Sequence, residues 1–208
     1  MALATDYLSL ADWRRTMAEL YAEVRATYDP AQAWAAWIDG RDQLFKEHTQ
    51  TPLLAGQRRD FRGLAYFPYD KRLRTVGRID YHVEPEIFRV ELEQDGLLQL
   101  QRVAAIHFRF DERPLRLSLF WILGYGGGLF LPFKDATNGT ETFGGGRYLY
   151  DTIKGADLGV YWESITLDFN FAYHPSCAYN AAWSCPLAPE ENRLPVAITA
   201  GERIFNNQ

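Results

Sequence analysis

The stretch FRVELEQDGLLQLQRVAAIHFRFDERPLRLSLFWIL, residues 88–123, decides the fold. Phe88, Val90 and Leu92 alternate with Arg89, Glu91 and Glu93. A period of two puts the first set on one face of a strand and the second on the other. Asp95-Gly96 then signals a tight hairpin turn. On the next strand Leu98, Leu100, Ala104, Ile106, Phe108 and Phe110 share a parity, interrupted by Arg102. A turn over residues 111–114 leads to a third strand with Leu115, Leu117, Leu119, Trp121 and Leu123 on one face. Its other face carries Phe120 and Ile122, which predicts burial on both sides. Three consecutive strands joined by short turns make an antiparallel meander.

Downstream the alternation continues. The glycines between residues 124 and 128 break it, and Leu129 to Phe133 resume it. Asn138-Gly139 marks another tight turn, Arg147 to Asp151 follow three glycines, and Ile165, Leu167, Phe169 and Phe171 alternate with Thr166, Asp168 and Asn170. Eight or nine short strands with turn signals this frequent predict an antiparallel barrel or sandwich. Residues 173–194 have no clear period and carry several prolines. An irregular segment of this length inside a domain reads as a strap over one end of the barrel. A short strand at residues 196–199 is expected near the end.

Upstream the period changes to that of helices. Leu10, Trp13, Met17, Leu20, Val24 and Tyr28 recur at steps of three and four, with Ser9 as a candidate cap. Asp29-Pro30 stops this helix and starts a second, which turns Trp34, Trp37, Ile38, Leu44 and Phe45 inward. The expected architecture is therefore one domain over residues 1–208. It is mainly β, α+β by content, with a pair of helices within residues 6–50 and a β-rich core over residues 60–205.

Composition bounds the function classes. Of 208 residues, 47% are hydrophobic and 15% aromatic, enough to fill a core without staples. The net charge of -5 and the absence of a Lys/Arg-rich run argue against nucleic acid as a partner. No apolar run approaches a membrane span, so no membrane partner is expected. No secretory signal is visible in the first residues, so a cytoplasmic location is expected, where Cys177 and Cys185 are thiols rather than a disulfide. A homodimer is compatible with the sequence.

Three segments carry a family resemblance. The first runs from Trp37-Ile38 through Arg41-Asp42 to Pro52-Leu53 and Phe61-Arg62-Gly63-Leu64-Ala65-Tyr66-Phe67. The second is Pro132-Phe133-Lys134-Asp135-Ala136-Thr137-Asn138-Gly139, continued by Glu141-Thr142-Phe143 and Gly145-Gly146-Arg147-Tyr148-Leu149. The third joins Asp168-Phe169-Asn170, Ala172-Tyr173, Cys177-Ala178-Tyr179-Asn180, Cys185-Pro186-Leu187, Glu191-Asn192 and Ala200-Gly201-Glu202. Together they resemble the bacterial and fungal domain-of-unknown-function family numbered 1684. His174 stands where the family pattern has Asn, and Phe143 where it has Tyr. The resemblance carries over no known activity, and the cofactor stays unknown.

The polar residues of the last third are the candidate site. Asp168 and Asn170, two apart, are expected on one face of a strand with Thr166 beside them. Arg147, after Gly144-Gly145-Gly146, offers a forked guanidinium suited to a carboxylate or phosphate, or to an internal partner such as Asp135, Asp168 or Glu202. The candidate ligand contacts are Asp135, Thr137, Arg147, Asp168, Asn170, Asn180, Asn192 and Glu202. The candidate catalytic groups are Asp168, His174 and Cys177. The spacing of His174, Cys177 and Cys185 matches no zinc signature, so no metal is expected. In a long strap, Asn side chains also serve the backbone in place of missing ladder bonds.

Three readings follow. The leading one is a domain that binds a small polar or anionic molecule in a pocket at one end of the barrel. The second is an enzyme using that pocket, hydrolytic or of a flavin-dependent redox type. The third is a structural or interaction module.

Overall fold

A computed structural model describes residues 4–92 and 96–205. Two helices come first, α1 (Ala4–Ala26) and α2 (Pro30–Glu47). Their joint is the expected one. Asp29 Oδ1 accepts the N–H of Ala31 at 2.9 Å, and Pro30 opens α2 where no backbone donor is needed. α1 begins ahead of Ser9, whose hydroxyl donates to the Asp6 carbonyl inside the helix at 3.0 Å. Met17 and Tyr21 of α1 and Trp37, Leu44 and Phe45 of α2 are buried. Tyr28, counted in the stripe, lies beyond the end of α1 and is fully exposed. A short α3 (Ala55–Arg59) follows.

The sheet has seven strands: β1 (Arg74–Asp80), β2 (Ile87–Leu92), β3 (Gly96–Phe110), β4 (Arg113–Ile122), β5 (Gly128–Phe133), β6 (Arg147–Asp151) and β7 (Ser164–Asp168). Their order is β6-β5-β4-β3-β1-β7, with β2 also pairing β3, and every strand pair is antiparallel. The sheet curls into a half-barrel, and strand and helix content are nearly equal. The expectation of eight or nine strands is thus reduced to seven among the described residues. Residues 93–95, with Asp95 of the expected hairpin turn, lie outside the described residues, but Leu92 faces Gly96 across the β2–β3 ladder. The β3–β4 turn is made by Asp111 (φ 45°) and Glu112 (φ 62°). Two successive positive φ values are what a tight hairpin with the right twist needs.

The long strand β3 corrects one reading. Leu100 and Ala104 share a parity, yet they enter different cores. The ladder with β4 shifts between Arg102 and Ala104, leaving Val103 as an extra residue. One extra residue exchanges the faces of everything beyond it. Leu100 joins Phe120, Ile122, Phe130 and Tyr148 on one face. Ala104, Ile106 and Phe108 join Leu115, Leu117 and Leu119 in the main core, against Trp37 and Tyr21 of the helices. β4 is therefore buried on both sides over residues 117–120, as its sequence predicts, but Trp121, expected on the inward face, is 38% exposed.

Residues 173–194 form a strap that docks by single bridges. Tyr173 bridges Tyr148 of β6, and Arg193 bridges Lys134 just past β5. Two 3-10 turns, Ser176–Ala178 and Glu190–Asn192, shape it. Residues 196–199, expected as a short strand, form none. They run beside residues 135–136, with the Ala136 N–H on the Val196 carbonyl at 3.0 Å and the Ile198 N–H on Asp135 Oδ1 at 3.2 Å.

Candidate functional site

Most of the buried polar residues fall into three groups. In the first, Arg147 is fully buried and leads β6 out of a glycine turn. Gly146 has φ 97°, and a Cβ there would stand 2.6 Å from the Phe133 carbonyl, so only glycine allows β6 this close to β5. Arg147 Nη2 donates to Asp135 Oδ2 and to the Ile198 carbonyl, both at 2.8 Å, and Nη1 donates to the Ala200 carbonyl. Asp135 Oδ1 accepts the Thr137 N–H at 2.8 Å and its hydroxyl at 2.6 Å. Thr137 in turn meets Thr142 at 2.8 Å. Of the three partners considered for Arg147, the structure selects Asp135. Burial pulls the Arg147 pKa below its ordinary value while Asp135 opposes the shift. The pair spends its hydrogen bonds inside the chain, tying the 196–202 segment to the β5–β6 edge.

The second group centres on Glu202, also fully buried. Its Oε2 accepts Arg41 Nη1 and the His174 N–H, each at 3.0 Å, and its Oε1 accepts the Tyr179 hydroxyl. Arg41 also donates to Tyr66 Oη at 2.7 Å and lies against the rings of Trp37, Phe45 and Tyr173. Arg41 borders a cavity of about 50 Å³, room for only a water or two. The His174 ring accepts the Phe143 N–H at Nε2 over 3.1 Å, and burial lowers its pKa to about 4. It is neutral at pH 7, and the nitrogen that would take a proton is occupied. Arg41, Tyr66 and Tyr179 are not among the sequence candidates. Arg41 was nevertheless legible, because it stands four residues from both Trp37 and Phe45 on the inward face of α2.

Asn192 stands apart from both groups. It is fully buried, and it accepts the Ser118 N–H at 2.7 Å. It donates to the Ser118 carbonyl at 2.9 Å and the Pro132 carbonyl at 2.7 Å. β4 and β5 pair only over residues 120–122 and 128–130, so Asn192 supplies the ladder bonds where they part. Asn180 accepts the Ala182 N–H at 2.9 Å in a local turn. Cys177 and Cys185 are half-buried thiols whose chain segments meet, with the Cys177 N–H 3.3 Å from Cys185 Sγ.

Asp168 begins the third group. β7 stops at Asp168 instead of carrying Asn170 on the same face. The cause is local: Asp168 Oδ1 accepts the Asn170 N–H at 3.1 Å and Nδ2 at 2.8 Å, which starts the 3-10 turn Phe169–Phe171. Asn170 then clamps the backbone of Asp70 through both its amide atoms at 2.9 Å. The other oxygen, Asp168 Oδ2, is buried and has no hydrogen-bond partner. Arg74, its neighbour across the β1–β7 ladder, approaches to 3.5 Å with Nε. Burial raises the Asp168 pKa from 3.8 to about 6, with the Asn170 hydrogen bonds and the Arg74 charge opposing the shift.

Asp168 also borders a cavity of about 120 Å³, shared with Arg25, Thr27, Arg74, Tyr161 and Thr166. Arg25 is fixed on this wall by a 2.5 Å bond from Nη1 to the Asp157 carbonyl. A larger hollow of about 350 Å³ lies between α1 and α2, but no buried polar atom without a partner borders it. Among the described residues no group of three or more His, Cys, Asp or Glu side chains is placed to hold a metal.

These motifs and this topology place the chain among known relatives. Residues 59–203 match the family described as Protein of unknown function (DUF1684). The chain belongs to the DUF1684 family. The match covers the second and third segments of the resemblance and begins within the first, after Pro52. A neighbour in structure is an uncharacterized protein of Haloarcula marismortui, known from a solution NMR structure. It is 38% identical, with a TM-score of 0.62, over 83% of this chain and 92% of that one. No curated protein matches the chain. No helix among the described residues is long and apolar enough to cross a membrane.

Proposed function

We propose that this DUF1684 protein binds a small carboxylate at the end of the β1–β7 ladder, in the cavity shared by Asp168, Arg74 and Arg25. One observation carries the reading: Asp168 borders that cavity, and its buried Oδ2 has no hydrogen-bond partner, only the Arg74 guanidinium at 3.5 Å. Buried carboxylate oxygens are almost always satisfied, and one left open costs stability unless something fills the place. Arg25 and Arg74 each lie 3.5 Å from one carboxylate, Asp157 and Asp168, and both line the cavity, where their remaining N–H groups offer donors to an anion. A planar carboxylate fits a guanidinium through paired hydrogen bonds. With a pKa of about 6, Asp168 is protonated in about one molecule in ten at pH 7 and in half of them at about pH 6, and in that form it can donate to the bound anion.

The size of the cavity sets the scale of the ligand. An apolar cavity of roughly 150 Å³ holds benzene, so 120 Å³ suits a molecule of about six non-hydrogen atoms or the acidic head of a longer one. The test is a ¹H–¹⁵N NMR titration with acetate, lactate and glycine. Shifts confined to residues 24–30, 74 and 158–168 and saturating with acetate or lactate support the reading. Arg74→Ala should then weaken binding by roughly tenfold or more, the loss of one charge-assisted contact. No saturable shift with any of the three would remove the proposal.

A further inference from the structure

The strap brings together two sulfurs that neither the fold nor the proposed anion site uses. We infer that Cys177 and Cys185 form a reversible thiol–disulfide couple, with Cys185 as the attacking sulfur, Cys177 as the resolving one and a hydroperoxide as the oxidant. Two observations of geometry support it. The Cys177 N–H points to Cys185 Sγ over 3.3 Å, which brings that sulfur to the start of the Cys177 residue itself. Both residues are only half-buried, so a small peroxide can reach them.

The surroundings assign the two roles. The Cys177 N–H donates to the Cys185 sulfur, and the neighbouring Cys177 thiol, the Ser176 N–H and the Lys154 charge all favour its thiolate. Against the cost of burial, these donors push the Cys185 thiol down to about 6, and the same hydrogen bond pushes Cys177 up. A thiolate is the nucleophile in such chemistry, so Cys185 attacks first. Sequence alone singled out Cys177, because His174 is three residues away; His174 turns instead to Phe143 and Glu202.

The steps balance. The Cys185 thiolate attacks the outer oxygen of the hydroperoxide, an S–O bond forms and the O–O bond breaks. The leaving alkoxide takes a proton from water and departs as an alcohol, or as water from hydrogen peroxide. Cys185 is now a sulfenic acid. The Cys177 sulfur attacks it, the S–S bond forms, the S–O bond breaks, and hydroxide leaves with the Cys177 proton as water. Two electrons pass from the sulfurs to the peroxide. A dithiol reductant reverses the change by exchange. The closed ring contains Asn180 and Trp183, and Trp183 is partly exposed, so its fluorescence reports closure.

The test uses the reduced full chain with one equivalent of hydrogen peroxide, read by intact mass and thiol count. The expected result is loss of both thiols with a mass decrease of about 2 Da, reversed by dithiothreitol. Cys177→Ser should instead gain about 16 Da at Cys185 and be trapped by dimedone. Cys185→Ser should leave Cys177 reduced. If either variant fails to fold, iodoacetamide alkylation of the wild type at pH 7 decides, with Cys185 expected to react roughly tenfold or more faster than Cys177. Equal alkylation rates, equal oxidation of Cys185→Ser, or mass gains of about 16 Da per thiol without a disulfide would each overturn the inference.

Discussion

Asp168 and His174 carry opposite pH dependences. The folded chain holds a proton on Asp168 up to about pH 6, the unfolded chain only to about 3.8. Its contribution is present below the lower value and is lost as pH rises through the upper one, about 3 kcal/mol in all. His174 works in reverse. Folded, it takes a proton only near pH 4, while the unfolded chain takes one at 6.5. Its neutral form adds stability above 6.5 that is lost as pH falls through about 4, again about 3 kcal/mol. In the wild type the two slopes oppose each other between pH 4 and 6. Asp168→Asn keeps an acceptor for Asn170 and removes the charge. It should therefore be more stable than wild type by up to ~3 kcal/mol at pH 8 and nearly equal to it at pH 3.5. Urea denaturation at the two pH values measures this. An unchanged or lower stability at pH 8 would mean that Arg74 already satisfies the carboxylate.

Arg147 and Asp135 are a residue-scale case of the other kind. Both side chains are fully buried in the ion pair. Arg147→Ala leaves Asp135 charged and uncompensated and should cost about 3–5 kcal/mol, read as a large fall in the urea midpoint. A loss below about 1 kcal/mol would mean that water or a rearranged strap replaces the guanidinium.

Within single elements, the strap is held by a side chain acting as a strand. Asn192 makes three hydrogen bonds to β4 and the end of β5. Asn192→Ala leaves those backbone groups buried and unpaired, at about 1–3 kcal/mol for each group that water cannot reach. Hydrogen exchange should report it locally: the Ser118 amide loses protection while β1–β3 amides keep theirs. Uniform loss would mean that the strap and sheet open as one unit. Gly146 is a second point of contact. Gly146→Ala puts a Cβ 2.6 Å from the Phe133 carbonyl at φ 97° and should loosen the β5–β6 pairing.

The sequence shows most of this molecule at the element scale and less of it at the contact scale. Alternation is local, so β2, β4, β5 and β6 were readable from single residues, as were the Asp29-Pro30 joint and the double burial of β4. The Val103 bulge was hidden, because Leu98 to Phe110 keep one parity in sequence and an inserted residue changes only the face. The end of β7 was hidden for a related reason: Asp168 and Asn170 alternate like strand residues, but Asp168 caps instead. The polar residues of the last third are spread over separate groups instead of one pocket, and most of them partner one another and the backbone. Arg147, Asp135 and Glu202 are fixed by contacts 12 to more than 100 residues away in sequence, which no window can display. Arg74 and Arg25 escaped notice because ordinary surface arginines look the same until the fold sets them beside Asp168.

For the whole molecule, the proposed site makes anion binding and the ionisation of Asp168 one equilibrium. A bound carboxylate favours protonated Asp168 and must raise its pKa, and affinity must rise as pH falls through about 6. A zwitterion such as glycine, offering its ammonium to an ionised Asp168, would do the opposite. The direct measurement is a ¹³C NMR titration of the Asp168 carboxyl between pH 3 and 9, with and without acetate. A midpoint near 6 that moves upward with acetate is the predicted result. A midpoint near the ordinary value of about 4, unmoved by acetate, would contradict the site.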